Sequence, residues 1–322
     1  MGAIVRKELA DHFGAARFLL MSFLIIMGSL ISARFAGEGI QSWLREGLGF
    51  MLEGRSFILL YSVSGTFMPV FLLIGYFGPL AAMLLGFDAI NRERLQGTLA
   101  KILAQPVYRD ELLAGKILAG LLTLALMTAA LLLLIAGFGL AGAGLVPTLG
   151  EIPRLLIFWV LSVTYLGFWL TLAVLMSILC RSVSASALAS AALWIFMTFF
   201  VPFLAGGLAQ SLSPESDPLN PARQEVLARE DLKRKISLIS PTAIYNESAA
   251  FLLDPARRTL NQSVQRFDKA STDRYTGRFT GPLEVSQSLM VAAPHLAAML
   301  VLALLTFQIA YLVFMKQEIR SN

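Results

Sequence analysis

The residues that could do chemistry in this chain are few, and most of them lie in one short stretch. The sequence has two histidines and one cysteine, so it offers neither a histidine-rich metal site nor an internal disulfide. Gly115-Lys116 lacks the upstream glycine spacing and the following hydroxyl of a phosphate-binding loop. Residues 88–116 carry five basic and four acidic side chains between two long uncharged runs. We therefore expect this stretch to bind a partner, and we expect no catalysis in this chain.

The apolar residues of this charged stretch have the spacing of a helix that docks onto another protein. Leu95, Leu99, Ile102 and Leu103 recur at i, i+4, i+7 and i+8, which places them on one helical stripe. Pro106 lacks a backbone donor, so it predicts the end of the helix just before it. The chain has no obvious segment of its own to cover the stripe. We predict a docking surface; the alternative is an ordinary interfacial helix between membrane spans.

The composition is that of an integral membrane protein. Of the 322 residues, 57% are hydrophobic and 15% are charged, whereas about a quarter of the residues of a soluble domain are charged. Six stretches carry no charge, and a membrane span needs roughly 20 apolar residues. These stretches are residues 18–33, 56–87, 117–150, 155–180, 182–214 and 285–315. We predict six transmembrane helices, with breaks at Gly75 to Pro79 and at Gly137 to Gly144.

The positions of the basic residues predict the orientation. The net charge is +5, but basic residues flank the apolar runs, which indicates lipid headgroups as their partner and not nucleic acid. With residues 88–116 inside, the short inner segments hold eleven Lys and Arg and the short outer segments hold four. Six spans and this asymmetry predict a multi-pass protein of the cell membrane with both termini in the cytoplasm.

Residues 1–16 predict an amphipathic helix that lies in the membrane interface. A cleaved signal peptide is the rival interpretation, and the acidic Glu8 and Asp11 argue against it. The apolar face of the helix would consist of Val5, Leu9, Phe13 and Ala16.

The only sizeable soluble region that the sequence predicts follows the fifth span, at residues 209–284. Asn220-Pro221 and Ser240-Pro241 are two helix starts, because each pairs a capping residue with proline at the first helical position. The second helix would end at Asp254-Pro255. We expect an extracytoplasmic helical segment that contacts an outer partner or a second copy of the chain.

His295 falls inside the sixth predicted span, just after Pro294. An intramembrane ionisable group is a functional hypothesis by default, here as part of an outer pathway. The alternative is a neutral histidine that bonds a neighbouring carbonyl or contacts headgroups.

The charged stretch also resembles the first cytoplasmic loop of the type-two, exporter-like permeases of ATP-binding-cassette transporters. The resemblance rests on the order and spacing of matching positions, with departures at Leu95 and Tyr108. The matching string is Glu93-x-x-x-Gly97-Thr98-Leu99, then Leu103, then Pro106-Val107-x-Arg109, then Gly115-Lys116. Two further strings fit the same family, namely Arg-Lys-Glu-Leu near the N-terminus and Ser240-Pro241-Thr242-Ala243-x-Tyr245. The size of the chain and the second of these strings resemble the permease of nitrous-oxide-reductase maturation.

This resemblance implies an all-α architecture and a division of labour between subunits. Residues 1–16 would be the elbow helix, 17–208 spans one to five with the coupling-helix loop 88–116, 209–284 the outer segment, and 285–322 the sixth span and tail. The residues that contact the ATPase would be Glu93, Arg94, Gly97, Thr98, Leu99, Leu103, Pro106 and Arg109, with Glu93 as an exposed charge at the rim.

The partners implied are two ATPase subunits, a second permease copy or homologue, the bilayer and an extracytoplasmic protein. ATP and magnesium would be bound by the ATPase, so no cofactor is expected in this chain. The function implied is export or mechanical transmission. The alternatives are an ion-coupled secondary transporter, which would need buried carboxylates in its spans, and a membrane scaffold for an extracytoplasmic partner.

Overall fold

The computed structural model describes residues 1–47, 56–63, 67–97, 108–212, 223–254 and 285–316, and the regular elements in these ranges are helices. In chain order they are α1 (Gly2–Gly14), α2 (Ala16–Arg45), α3 (Leu59–Ser62), α4 (Val70–Gly86), α5 (Asn91–Leu95), α6 (Arg109–Ala141), α7 (Glu151–Leu179), α8 (Val183–Ile195), α9 (Val201–Ser211), α10 (Arg223–Ser237), α11 (Pro241–Leu253) and α12 (Val285–Lys316). A π-helical turn, Phe196–Phe200, joins α8 to α9.

Within the described ranges, six helices are long and apolar enough to cross a membrane, which confirms the number predicted from the charge-free runs. They are Ala16–Arg45, Val70–Leu95, Arg109–Ala141, Glu151–Leu179, Val183–Ser211 and Ala292–Lys316. Helix α7 packs against α4, α6, α11 and α12 and so lies at the centre of the bundle.

The predicted break at Gly75 to Pro79 is wrong, because α4 continues through Pro79. The glycines of this helix serve close packing instead. A Cβ on Gly78 would lie 2.6 Å from a methyl group of Leu166 on α7, and a Cβ on Gly75 would collide with Asn246 on α11. The second charge-free run is interrupted earlier, between α3 and α4, where the backbone at Val63 is extended.

The break predicted in the third run is confirmed. Helix α6 ends at Ala141, and the N–H of Gly142 closes the last turn on the carbonyl of Phe138. Gly144 follows with φ 66°, a left-handed conformation that glycine adopts without steric cost.

Helix α11 begins and ends where the sequence predicts, but it does not lie in a separate soluble region. The side chain of Ser240 accepts a hydrogen bond from the N–H of Ala243, Pro241 is in the first turn, and the helix ends before Asp254. Five consecutive residues, 249–253, are nevertheless buried, and α11 packs against α4, α7 and α12. Pro241–Leu253 is therefore not a separate soluble helix, because its apolar residues complete the core of the bundle. Its extracytoplasmic placement stays a prediction.

Candidate functional site

A buried ion cluster joins the N-terminal helix to the two spans that flank the charged stretch. The ammonium of Lys116 on α6 lies 2.8 Å from a carboxylate oxygen of Glu8 on α1 and 2.8 Å from one of Glu93 on α5. Lys116 is only 6% exposed, and both carboxylates are buried as well. The N-terminal helix therefore meets two later, consecutive helices at one ammonium group, and we call Glu8, Glu93 and Lys116 the inner cluster.

Within the inner cluster, the surroundings of Glu8 favour its charged form. Burial alone would raise the pKa of the Glu8 carboxyl, but the charge of Lys116 and its hydrogen bond outweigh burial and hold this pKa below its ordinary value. Nearby on α1, burial lowers the pKa of His12. Removal of Lys116 would leave two buried carboxylates without their cation, and an uncompensated buried charge typically costs about 3–5 kcal/mol.

Helix α5 is also fixed from the side of the fourth span. The hydroxyl oxygen of Ser177 on α7 accepts hydrogen bonds from the backbone N–H groups of Ile90 and Asn91, each over 3.0 Å. These donors lie at the start of α5 and have no partner within the helix itself. The carboxamide of Asn91 in turn donates to the carbonyl of Ser182 over 3.2 Å. The entry into the charged stretch is thus held by α1, α6 and α7 together.

A cavity of about 700 Å³ opens beside the inner cluster, between α1 and the neighbouring ends of α2, α4 and α6. Its wall includes an ion pair between Arg17 and Asp88, and the Arg17 guanidinium lies 4.8 Å from the centre of the Phe87 ring. This geometry is that of a cation–π contact. The cavity wall carries both basic and acidic side chains, and most of them form ion pairs with one another.

The predicted docking residues are only partly within the described ranges. Thr98, Leu99, Leu103 and Pro106 lie outside them, and so does Ile102. Within them, Arg94 and Arg109 are half-buried, and Gly97 is exposed with φ 66°.

Two features of the predicted docking helix need correction. Helix α5 ends at Leu95, and the left-handed Gly97 separates Leu95 from the residues that follow, so Leu95 does not share a continuous helix with them. Glu93 faces Lys116 and is buried, so it is not the exposed rim charge that the sequence suggested. Leu95 and Tyr108, on either side of residues 98–107, are 63% and 76% exposed.

A second polar cluster lies in the middle of the bundle around the Ser-Pro-Thr string of α11. The hydroxyl of Thr242 lies 3.0 Å from that of Tyr165 on α7 and 3.0 Å from that of Thr198 in the π-helical turn. The rings of Tyr165 and Tyr245 stack at 4.3 Å, and the hydroxyl of Tyr245 lies 3.1 Å from that of Ser162. This hydroxyl cluster ties α11 to the fourth and fifth spans.

His295 belongs to a charged group at the packed face of α11. Its Nε2 lies 4.0 Å from a carboxylate oxygen of Glu247, which accepts a hydrogen bond of 2.7 Å from Nε of Arg234 on α10. The Nδ1 of His295 is buried and has no hydrogen-bond partner among the described residues. Its Nδ1 is thus not bonded to the neighbouring carbonyl that one of the two interpretations expects.

A family model described as ABC-2 family transporter protein matches residues 2–319. The chain belongs to the ABC-2 family of transporter proteins. Comparison with curated proteins gives no match. The family covers nearly the whole chain, and it agrees with the six apolar helices in identifying a permease subunit of an ABC transporter.

Several residues that organise this ABC-2 permease are invisible to reasoning from sequence. Glu247 falls in the segment that the sequence predicts to be soluble, yet it contacts Arg234 and His295 at the packed face of α11. Ser177 gives no signal, because one serine in an apolar run is usually a packing residue.

Among the described residues, no group of three His, Cys, Asp or Glu could hold a metal ion.

Proposed function

We propose that this ABC-2 permease couples ATP hydrolysis by separate ATPase subunits to export or to mechanical transmission across the cell membrane. The complex would contain two ATPase subunits, which bind ATP and magnesium, and two permease copies or homologues. Residues 95–109 would dock onto the ATPase, as the resemblance of this stretch to a coupling-helix loop suggests. Exposure of the large side chains Leu95 and Tyr108 at its borders supports a contact surface in this part of the chain.

The observation that carries this proposal is the inner cluster. A force that an ATPase exerts on residues 95–109 acts on α5 and on the start of α6, and Lys116 connects both to α1. Separation of these helices would leave buried charges unpaired, so the cluster favours their movement as one body. A displacement at the docking stretch would then reach the second and third spans together.

The hydroxyl cluster supports transmission from the spans to the opposite end of the bundle. Tyr165 on α7 contacts Gly75 of the second span and Thr242 of α11, and Thr198 of the fifth span contacts Thr242 as well. Relative movement of the second and fourth spans would therefore displace α11. An extracytoplasmic partner that binds near α11 would receive this movement even if no substrate crosses.

The test is retention of the ATPase by a permease variant with Leu99→Asp and Leu103→Asp. If these leucines fill an apolar groove, two unpaired carboxylates would cost about 3–5 kcal/mol, which corresponds to about a hundredfold or more in affinity. We expect normal expression and membrane insertion but loss of the ATPase in a detergent pull-down.

The matched control carries Val146→Asp and Leu149→Asp, two exposed residues in the connection between α6 and α7, and should retain the ATPase. Retention by the first variant at wild-type stoichiometry would exclude residues 95–103 as the docking surface. If transport by the intact complex does not depend on ATP, an ion-coupled transporter is favoured instead.

A further inference from the structure

A second cavity, of about 550 Å³, lies among α4, the π-helical turn, α9, α10 and α11. Its volume is in the range of small-molecule binding sites, which is about 300–1,000 Å³. The apolar part of the lining includes Phe71, Leu72, Pro202 and Phe251, and the charged part includes Glu230, Lys233, Arg234, Glu247 and Asp254. The cavity is therefore amphipathic and large enough for a headgroup with part of an apolar body.

The cavity reaches into the membrane-spanning bundle. Thr198 and Thr242 line it, and their hydroxyls bond within the cluster around Tyr165, which is the central residue of the span Glu151–Leu179. A charged side chain within a membrane-spanning bundle is costly unless it has a partner or a function, and Glu247 of the packed helix α11 lines this cavity. The π-helical turn at Thr198 is a further irregularity of a kind that is frequent at functional sites.

Two of the lining charges remain available to a ligand. Arg234 is committed to Glu247, with Nε 2.7 Å from the carboxylate oxygen. Glu230 and Lys233 make no hydrogen bond or ion pair with another described residue. They are three positions apart on α10, so they share a face with Cβ atoms about 5–6 Å apart. The stem of Lys233 lies beside Gly206 of α9, with Cε 4.0 Å from the position that a Cβ there would take.

We propose that this cavity binds an amphiphile with a zwitterionic headgroup, whose ammonium pairs with Glu230 and whose anionic group pairs with Lys233. The apolar body of the ligand would lie against Phe71, Leu72 and Phe251. The inference rests on the proposed transport function, because it names the class of molecule that the permease handles. Two molecules carry such an ammonium and anionic group: an ethanolamine phospholipid of the bilayer and free phosphoethanolamine in the aqueous phase.

The first experiment measures binding to the purified full-length chain by native mass spectrometry. Dihexanoyl phosphatidylethanolamine should bind about tenfold more tightly than dihexanoyl phosphatidylglycerol, which lacks the ammonium group. Free phosphoethanolamine supplies the headgroup alone. If phosphoethanolamine binds more weakly than the lipid, the ligand is a lipid taken from the bilayer. If the two bind equally, the ligand is the soluble headgroup compound. Equal affinities for the two lipids would overturn the proposal.

The second experiment repeats the titration with variants of α10. Glu230→Gln and Lys233→Met should each weaken binding of the ethanolamine lipid about tenfold, because each removes one charged contact. The matched controls are Asp231→Asn and Lys235→Met, which break an exposed ion pair on the same helix outside the cavity lining and should bind as the wild type does.

Wild-type affinity in the two cavity variants, or an equal loss in the controls, would refute the assignment. Elution of every variant as a single peak in size-exclusion chromatography verifies folding. No ATPase is present in these titrations, so their outcome is independent of the pull-down that tests docking.

Discussion

The hydroxyl of Tyr165 donates a hydrogen bond of 2.6 Å to the backbone carbonyl of Gly75. In an α-helix this carbonyl would accept from the N–H four residues later, which belongs to Pro79 and does not exist. Tyr165 on α7 thus supplies the donor that α4 lacks. This contact explains how the second span continues through a proline that the sequence identifies as a break.

Tyr165→Phe should therefore destabilise the protein, and Pro79→Ala should offset part of the loss. The first change removes the donor to Gly75 and costs about 1 kcal/mol, whereas the second restores a backbone N–H for the same carbonyl. Thermal unfolding of the single and double variants in detergent measures the coupling between them.

Tyr61→Phe is the matched control, because the hydroxyl of Tyr61 donates to the carbonyl of Leu132, in a helix without proline at that position. Pro79→Ala should not offset this change. An equal effect of Pro79→Ala in the wild-type and Tyr165→Phe backgrounds would contradict the explanation.

Lys116→Met should lower stability by about 3–5 kcal/mol, because it leaves the carboxylates of Glu8 and Glu93 buried without their cation. Combination with Glu8→Gln and Glu93→Gln should recover much of this loss, since the variant then buries no charge at the cluster. Lys7→Met removes an exposed lysine of α1, the helix that carries Glu8, and should cost about 0–1 kcal/mol. Thermal unfolding of the four proteins measures these differences. If Lys116→Met were as mild as the Lys7 variant, the inner cluster would not hold the helices together.

Acidification should loosen the packing of α1 in two steps. The pKa of His12 is lowered by burial from its ordinary value of 6.5, so the unfolded segment binds more protons and stability falls as the pH drops below that value. The pKa of Glu8 is also lowered, from 4.5, so its contribution is present above that pH and is lost in stronger acid. Proteolysis or hydrogen exchange of α1 as a function of pH follows both steps. His12→Gln should remove the first step and keep the second, and an unchanged profile would show that His12 is not its cause.

The orientation can be tested with single cysteines in a Cys180→Ser background. Leu149→Cys, at a residue that is 91% exposed between α6 and α7, should react with an impermeant thiol reagent outside intact cells. Tyr108→Cys should react only after permeabilisation, because its exposed side chain borders the stretch that we propose to be cytoplasmic. Ser248 is unsuitable for this purpose, since it is buried and donates to the carbonyl of Ile244. Labelling of Tyr108→Cys from outside would reverse the proposed topology.

The sequence by itself determined the membrane class, the six spans and several helix ends. These features depend on local rules, because a span must be apolar over its own length and a helix end needs its own capping groups. The cap at Ser240, the end of α11 at Asp254 and the end of α6 near Gly142 were predicted correctly for this reason. The matching string at Glu93 to Lys116 likewise indicated the family.

Only the tertiary structure decided which of these residues meet. Local rules predict that Pro79 breaks its helix. In the fold the helix continues, because the hydroxyl of Tyr165 on another helix replaces the backbone N–H that Pro79 lacks. The pattern of its own stretch predicts that Glu93 is exposed, but in the fold Glu93 is buried and pairs with Lys116, which also pairs with Glu8. Helix α11 has the same sequence signals whether it lies in water or in the bundle. The physical reason is that hydrogen bonds and ion pairs between distant segments depend on packing, which the local sequence pattern does not specify.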